Sequence, residues 1–300
     1  MKLRILSIAF LLLGLKVNAQ QLTFMSQYMV DNYIMNPAAA GSYEYSPIAL
    51  SARQQWVGFS DAPSTQMITA HMNMKDHHGV GVKLYNDMIG PLSRISLQGT
   101  YAYLVEIDRD QTLSFGLSFM FNQHKLDGSG FNIENQTDNV LHNATMSSTN
   151  FDADFGVQYY TEDYFVGLSI PQLFQHKYSF GDNIEGLNKQ IRHFYFMGGY
   201  KIEIDRHYKI EPSFQIKAAS NAPVQIDLNA RIHYDDKFWG GLSWRIKDAV
   251  SIMLGVNYDE FAFGYSFDFT TNAIRNYSSG THEIYIAYKI SKRKRPSFAR

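Results

Sequence analysis

Two consecutive runs, Val250–Tyr258 and Phe261–Phe269, alternate apolar side chains with small or polar ones and are joined by the turn Asp259–Glu260. Successive side chains of a strand point to opposite faces, so each run predicts a strand with one apolar, aromatic face. Strands of soluble sheets have about five or six residues and bury such a face in a core. These runs have about ten residues, the length that a tilted strand needs to cross a bilayer. The pair therefore favours a membrane-spanning β-barrel.

The same alternation recurs along the chain and predicts an all-β fold, a single transmembrane antiparallel barrel of the outer membrane with about 14 strands. An even strand count returns both ends of a barrel to the same side of the membrane, as in bacterial single-chain barrels. The candidate strands are Pro47–Trp56, Thr65–Met74, Gly79–Asn86, Leu92–Glu106, Gln111–Lys125, Phe151–Tyr160, Tyr164–Ile170, Arg192–Ile204, His207–Ala219, Val224–Tyr234, Phe238–Ile246, Val250–Tyr258, Phe261–Phe269 and Thr281–Ile290.

The connections between these strands fall into two sets that alternate along the chain. One set has only short, charged members, such as Ile107–Asp110 and Asp259–Glu260, whereas the longest connections, Leu126–Asn150 and Pro171–Ile191, belong to the other set. Outer-membrane barrels have short periplasmic turns and longer extracellular loops. We therefore predict that the short connections face the periplasm.

The ionisable residues of the strands share a face with the small polar residues. A charge that faced lipid at the bilayer midplane would cost about 2–4 kcal/mol, so these residues are predicted to line the lumen. Both signs occur in similar number, which favours a salt-bridged, largely filled interior, with a wet channel as the alternative. The residues are Arg53, Lys83, Arg94, Asp152, Asp154, Lys201, Glu203, Lys209, Glu211, Lys217, Asp227, Arg231, Arg245 and Asp268.

The N-terminus is typical of a cleaved secretory signal peptide over residues 1–19. Lys2 and Arg4 precede an apolar segment, Ile5–Leu15, which is too short for a membrane-spanning helix. Small residues before position 20 favour cleavage between Ala19 and Gln20. A cleaved signal directs the chain out of the cytoplasm, and with the barrel it predicts the outer membrane of a Gram-negative bacterium.

Two further segments flank the barrel, which is predicted over residues 47–290. The lead-in segment, residues 20–46, lacks clean alternation and contains Asn36-Pro37, a turn-forming pair. We expect it to be short helical or extended chain at the barrel mouth or in its lumen. Residues 291–300 form a basic tail, Lys292–Arg295 being all Lys or Arg, which the predicted topology places in the periplasm.

The composition and motifs exclude several classes of function. The chain has 27 basic and 28 acidic residues and no cysteine. The near-neutral balance gives no basic surface for nucleic acid, and the lack of cysteine excludes disulfides and thiolate metal sites. No serine-hydrolase, zinc-protease, phosphate-loop or calcium-loop motif occurs. Asp152 and Asp154 share one face of a strand, but lumen residues of a barrel are polar in any case. We predict neither enzyme activity nor a cofactor or metal site.

Short pieces along nearly the whole mature chain carry a resemblance to a known family. The opening piece is Phe24–Tyr28 with Asn32 and Asn36–Gly41, and the next is Arg53–Phe59 with Ala62–Thr65. The later pieces are Tyr101–Tyr103, Leu113–Leu117, Val166–Ser169, Pro171–Leu173, Gly198–Tyr200, Glu211–Ser213, Gln225–Asn229, Gly264–Asp268 and Gly280–Ile284. In this order the pieces resemble the PorP/SprF family, outer-membrane barrels of the type IX secretion system and gliding machinery of Bacteroidetes.

The resemblance implies a non-enzymatic part of a secretion machine that helps to export or anchor cargo proteins, such as large adhesins, through a C-terminal sorting domain. It also implies periplasmic partners, namely a peptidoglycan-binding protein and secretion-ring proteins, besides outer-membrane lipid. The candidate partner-binding residues are Asn36, Pro37, Arg53, Gln54, Trp56, Gly58 and Pro63.

Three alternatives remain open at this point. The candidate residues could instead brace the first strand and its loop, with Trp56 in the aromatic girdle. The chain could be a diffusion porin or small-solute transporter, which requires an open lumen. An outer-membrane enzyme would require a catalytic constellation at one rim.

Overall fold

The computed structural model describes residues 25–75, 77–128, 145–178, 188–220 and 222–291. The predicted cleavage site between Ala19 and Gln20 and the basic tail after Ser291 lie outside these residues. Within them the chain is almost entirely β-structure. No described helix is long and apolar enough to span a membrane.

Fourteen strands form the barrel wall, which confirms the predicted fold class and strand number. They are β1 Tyr45–Gln54, β2 Ser64–Lys75, β3 His78–Ile89, β4 Leu92–Asp108, β5 Gln111–Asp127, β6 Thr145–Tyr160, β7 Tyr164–Ile170, β8 His193–Tyr200, β9 Tyr208–Ala219, β10 Gln225–Tyr234, β11 Phe238–Arg245, β12 Ala249–Tyr258, β13 Phe261–Thr270 and β14 Thr281–Ser291. The remaining elements are short. Two strands of two residues, Lys177–Tyr178 and Asn188–Lys189, pair with each other, and the segment Ile202–Glu203 follows β8. The 3-10 turns are Ser26–Met29, Asn32–Ile34, Pro37–Ala39 and Ala273–Asn276.

The strands are paired antiparallel with their neighbours, and the sheet closes on itself. β1 pairs with β14 in a register that sets Tyr45 opposite Ser291 and Gln54 opposite His282. Closure leaves no free edge at this seam, so the backbone groups of both strands are satisfied within the wall. β6 begins at Thr145, earlier than the predicted Phe151, and runs well beyond its partner β7, which ends at Ile170.

Side chains alternate between the two faces of the wall, as the sequence predicts. In β1, Ile48 and Leu50 are 46% and 47% exposed on the outer face, whereas Ser51 and Arg53 are 3% and 4% exposed on the inner face. The outer face is apolar and aromatic because it meets lipid, and the inner face collects the charged residues. The wall thus encloses a lumen of mixed charge.

The two ends of the barrel differ in the length of their connections. At one end, the short-turn end, neighbouring strands are joined through segments such as 109–110, 161–163 and 259–260. At the other, the long-loop end, they are joined through segments that include 128–144, 171–192 and 271–280. This sorting by side is the predicted asymmetry of an outer-membrane barrel.

Candidate functional site

Residues Met25–Gly41, which we call the plug segment, lie inside the barrel and are not part of its wall. All of them are buried except Val30 and Asn32, which are half-buried. The segment starts beside the long-loop ends of the strands, where Ser26 meets β13 and β14, and ends beside the short-turn end, where Gly41 meets β2. It therefore follows most of the length of the lumen.

Local sequence explains why the plug segment is a chain of short turns. The side chain of Asp31 accepts a hydrogen bond from the N–H of Tyr33, and that of Asn36 accepts one from the N–H of Ala38. Such caps satisfy N–H groups at the start of a turn, and Pro37 fixes its own φ in a helical range. The lead-in predicted from the Asn36-Pro37 pair is thus a plug built of 3-10 turns.

A buried group of charged wall residues, which we call the clamp, holds the first residues of the plug. The clamp consists of Arg53, Arg245, Asp268 and Glu283, each at most 4% exposed. Arg53 donates to Asp268 at 2.8 Å and to Glu283 at 2.9 Å. Arg245 lies 3.6 Å from the same Asp268 carboxylate. Arg245 also lies 3.1 Å from Asp248 and 3.8 Å from the buried Asp227, which is 3.3 Å from Lys217. The clamp is therefore part of a larger network of paired charges.

The plug completes the hydrogen bonding of the clamp. Glu283 accepts the N–H of Ser26 at 2.6 Å and the N–H of Gln27 at 2.9 Å. The Ser26 hydroxyl accepts from Arg53 at 2.6 Å and lies 3.0 Å from Asp268, to which it donates. Buried charges need such partners, since an unpaired buried charge is strongly destabilising.

A second set of polar contacts holds the middle and the end of the plug. His71 of β2 accepts the N–H of Gly41 on Nδ1 at 3.1 Å, which leaves its Nε2 directed at Asp31, 3.4 Å away. Lys83 of β3 donates to the carbonyl oxygen of Ile34 at 2.7 Å. These contacts bind main-chain groups and one carboxylate of the plug to the wall.

Glycines on the inner face of the wall let the plug approach the strands closely. A Cβ atom at Gly79 would lie 2.0 Å from the carbonyl oxygen of Ala40, and one at Gly156 would lie 2.0 Å from the side chain of Asn36. Both distances are far below van der Waals contact, so these two positions require glycine while the plug is in place.

We expect Gly79→Val to destabilise the folded barrel by about 1–3 kcal/mol, because the new side chain meets plug backbone and overpacks the lumen. Gly99→Val is the matched control, since a Cβ at Gly99 has nothing within 4 Å. Urea unfolding of the two variants in the same detergent compares them directly. Equal stability of the two variants would show that the plug does not press against the wall at Gly79.

Methionines dominate the apolar contacts between plug and wall. Met25, Met29 and Met35 of the plug pack in one buried cluster with wall residues that include Met197 and Met253. Methionine has a flexible, unbranched side chain that fills irregular gaps. The interface therefore combines defined polar contacts with adaptable apolar packing.

A second inward-folded segment follows β7. The N–H of Gln172 donates to Asp154 at 3.0 Å, and the N–H of Phe174 donates to Asp152 at 2.9 Å. The N–H of Leu173 donates to the carbonyl oxygen of Ala153 at 2.9 Å. The carboxylate pair noted in the sequence therefore anchors residues 171–174 against β6.

A cavity of about 60 Å³ remains between the two inward segments. Ile34 and Met35 of the plug line one side, Gln172 another, and Lys83 and Asp154 of the wall are also exposed to it. An engineered cavity that binds benzene has about 150 Å³, so this space is too small for a ligand of that size.

Three of the predicted partner-binding residues, Asn36, Pro37 and Arg53, are buried inside the barrel. Asn36 is fully buried and donates from its side chain to the carbonyl oxygen of Val157 at 3.2 Å. Pro37 is buried beside it, and Arg53 belongs to the clamp. In this structure their contacts are with the plug and the wall, and a role for them in binding a partner stays a prediction.

The other predicted residues lie at the long-loop end: Gln54 is the last residue of β1, and Trp56, Gly58 and Pro63 lie in the segment that follows. That segment is joined to the segment before β14, because the N–H of Val57 donates to Gly280 and the N–H of Ser279 donates to Val57. Gly58 has a φ of +95°, which favours glycine. A role for these four residues in binding a partner stays a prediction.

Glu283 is the clamp residue that the sequence analysis left out of the lumen charges. The alternation of side chains in β14 would have placed it on the lumen face, since Tyr285 and Ala287 share its buried face while Ile284 and Ile286 face outward. Its role as acceptor for the plug backbone depends on contacts that no local pattern contains.

Charged residues at the short-turn end pair across neighbouring turns. His207 Nδ1 lies 2.5 Å from Asp235 Oδ1, and this hydrogen bond raises the pKa of His207. Backbone N–H groups of His207 and Tyr208 donate to Asp205 and lower its pKa. Among the described residues, no three His or acidic side chains are grouped to hold a metal ion.

Comparison with known proteins identifies the family of this plugged barrel. The family model for the type IX secretion system membrane protein PorP/SprF matches residues 17–288. The chain belongs to the PorP/SprF family. The match includes the plug segment, so in this PorP/SprF protein the plug and all but the last three residues of the wall fall within one family region. No curated protein is significantly similar to the chain.

Solved structures similar to this PorP/SprF protein include a channel and a transporter. The monoaromatic hydrocarbon channel CymD is 12% identical, with 93% of this chain and 96% of that chain covered and a TM-score of 0.54. The toluene transporter TbuX of Ralstonia pickettii is 9% identical, with 88% and 93% covered and a TM-score of 0.52. At these identities the likeness shows a shared barrel fold.

Proposed function

We propose that this protein is a non-enzymatic outer-membrane component of the type IX secretion system that aids export or surface anchoring of cargo proteins such as large adhesins. The family match supports a place in the secretion machinery. The observation that supports this proposal is the filled lumen. A barrel that is closed by its own buried plug can still bind other proteins through the surfaces at its two ends.

The long-loop end is the surface proposed to meet the cargo. The two hydrogen-bonded segments there carry Phe59 and Tyr277, which are 50% and 72% exposed. Exposed aromatic side chains are common anchors at protein interfaces. The sorting domain of a cargo protein is the proposed occupant of this surface.

The short-turn end is proposed to face the periplasm, where the family resemblance implies peptidoglycan-binding and secretion-ring partners. Removal of the signal peptide between Ala19 and Gln20 would accompany export of the chain to the periplasm, from which it would insert into the outer membrane. A diffusion porin or small-solute transporter is the alternative, and the plug disfavours it because it follows most of the length of the lumen.

Deletion of the gene, followed by mass spectrometry of surface and secreted proteins, tests the proposal. Loss of one large surface protein would identify a dedicated anchor, and loss of all cargo with sorting domains would identify a core component. Complementation with the parent gene is the control. Unchanged secretion with impaired solute uptake would reject the proposal in favour of the porin.

A further inference from the structure

The wall of the barrel is taller at β6 than at β7, and this step leaves part of β6 without a second neighbouring strand. β6 pairs with β5 along its whole length. β7 reaches only as far as Phe155, which pairs with Ile170. The next residues of the chain, 171–174, bond to β6 as far as Asp152. Within the residues that the structure describes, Thr145–Phe151 therefore has no ladder partner on the β7 side. We call this stretch the β6 edge.

The main-chain groups of the β6 edge point alternately to its two sides. The N–H and C=O groups of one residue share a side, and the next residue directs its groups to the other. On the β7 side, the carbonyl oxygen of Ala153 accepts the N–H of Leu173. Ser148 and Asn150 therefore bond to β5, and the odd-numbered residues direct their groups away from it. The β7 side of the edge thus presents donors and acceptors over roughly 20 Å, from Thr145, Ser147, Thr149 and Phe151.

The β6 edge lies beyond the apolar band of the wall, at the long-loop end. Phe121 and Phe151 form an aromatic pair on the outer face, with ring centroids 5.4 Å apart. Beyond this pair the outer face becomes polar, since the exposed Lys125 lies opposite the exposed Ser147 and is followed by no further aromatic residue on β5. Aromatic girdles mark the interface of the membrane with water. The edge is therefore on the aqueous side of that interface.

The β6 edge lacks the features by which natural edge strands avoid pairing with other chains. Such strands usually carry charged residues, a proline or a β-bulge. Thr145–Phe151 contains no charged residue and no proline, and its ladder with β5 runs without a register shift. The β-branched Thr145 and Thr149 also favour an extended strand. A regular, uncharged edge in water is a template to which another strand can add.

We propose that an exported cargo protein adds a β-strand of its sorting domain to the β6 edge, so that the sheet of the wall continues into the cargo. This inference rests on the proposed function. Strand addition takes its affinity from main-chain hydrogen bonds and its specificity from alternate side chains. On the outer face the added strand lies beside the exposed Ser147 and Thr149, and on the inner face beside the half-buried Met146 and Ser148. Threonine and serine in the added strand fit the outer face, because hydroxyl side chains pair across strands.

Hydrogen exchange resolved to single residues tests whether the β6 edge is open in the isolated protein. In detergent we expect the amides of Ser147 and Thr149 to exchange at least about tenfold faster than those of Ser148 and Asn150, which β5 protects. Equal protection of all four amides would show that another part of the chain covers the edge, and it would overturn the proposal.

Binding is measured with the full chain in detergent and the purified sorting domain of the surface protein whose level falls most in the gene deletion. Ser147→Pro combined with Thr149→Pro removes two donors from the open side and leaves the bonds to β5, since edge strands tolerate proline. Ser147→Ala combined with Thr149→Ala keeps both N–H groups and is the matched variant. We expect the proline variant to bind at least about tenfold more weakly than the alanine variant, because two ladder hydrogen bonds are lost. Heat-modifiable gel migration checks that both variants form folded barrels.

A second measurement needs no variant. Added sorting domain should slow the exchange of the Ser147 and Thr149 amides in the parent protein at least about tenfold. Unchanged exchange with bound sorting domain, or equal affinity of the two folded variants, would overturn the β6 edge as the site and leave the proposed function standing.

Two further outcomes would reject a cargo strand for other reasons. If the parent protein forms a dimer that the proline variant does not form, and the affinity for the sorting domain is unchanged, the edge binds a second copy of this chain. If the gene deletion alters no surface or secreted protein, the proposed function fails and the cargo strand fails with it.

Discussion

Removal of Met25–Ala40 is expected to turn a closed barrel into an open pore. Barrels of eight strands are filled by their own side chains, whereas those of 16–18 strands leave an aqueous channel. A barrel of 14 strands is closer in size to the second group. Its lumen is therefore too wide for the wall side chains alone to fill, and the plug closes it. In planar bilayers we expect discrete conductance steps roughly tenfold or more above those of the parent protein.

A control and a second variant of the plug contact make this measurement specific. Deletion of residues 292–300 removes a similarly terminal segment but leaves the plug in place, and it should conduct like the parent. Gly79→Val disturbs the plug without shortening the chain and should raise the open probability. If the parent conducts in the same large steps as the plug deletion, the plug does not close the lumen and the porin alternative gains support.

Replacement of Arg53 by alanine is expected to lower the free energy of unfolding by about 3–5 kcal/mol, because it leaves buried carboxylates without their main cation. Asp268 retains Arg245 at 3.6 Å, so the larger loss falls on Glu283. Urea unfolding of the refolded barrel in detergent measures the change. Arg109→Ala, in an exposed turn, is the matched control and should change stability by less than about 0.5 kcal/mol.

A double variant separates loss of charge balance from loss of packing. Glu283→Gln removes the charge that Arg53 neutralises, so adding it to Arg53→Ala should recover part of the lost stability. The comparison is with the stability that Glu283→Gln loses by itself. If the double variant is less stable than Arg53→Ala by that same amount, charge balance is not what the clamp contributes. If Arg53→Ala lowers the free energy of unfolding no more than Arg109→Ala does, the clamp does not stabilise the barrel.

Several features of the barrel follow from local rules. Side chains on a strand alternate with period two, and lipid excludes charge from one face, so a run such as Phe261–Phe269 shows both its strand and its lipid face. The strand number, the sorting of short and long connections, and the inward position of Lys83, Asp154 and Arg245 were predicted on this basis. These predictions hold because each depends on neighbours in sequence and on the bilayer.

The sequence also marked Asp152 and Asp154 as a pair and Asn36-Pro37 as a turn, but it did not assign their contacts. The aspartates anchor the backbone of residues 171–174, and the turn lies within the lumen. The plug segment has no regular alternation, since its turns are set by caps at Asp31 and Asn36 and its position is set by the wall around it.

The sequence by itself determined that this chain is a membrane barrel with a charged interior, because strand period and exclusion of charge from lipid act on every strand separately. Only the tertiary structure decided which charges meet. Arg53 and Glu283 are 230 residues apart and become neighbours because β1 closes the barrel against β14. The same closure creates the space that the plug fills, so the site arises from contacts between distant strands and not from any single stretch of sequence.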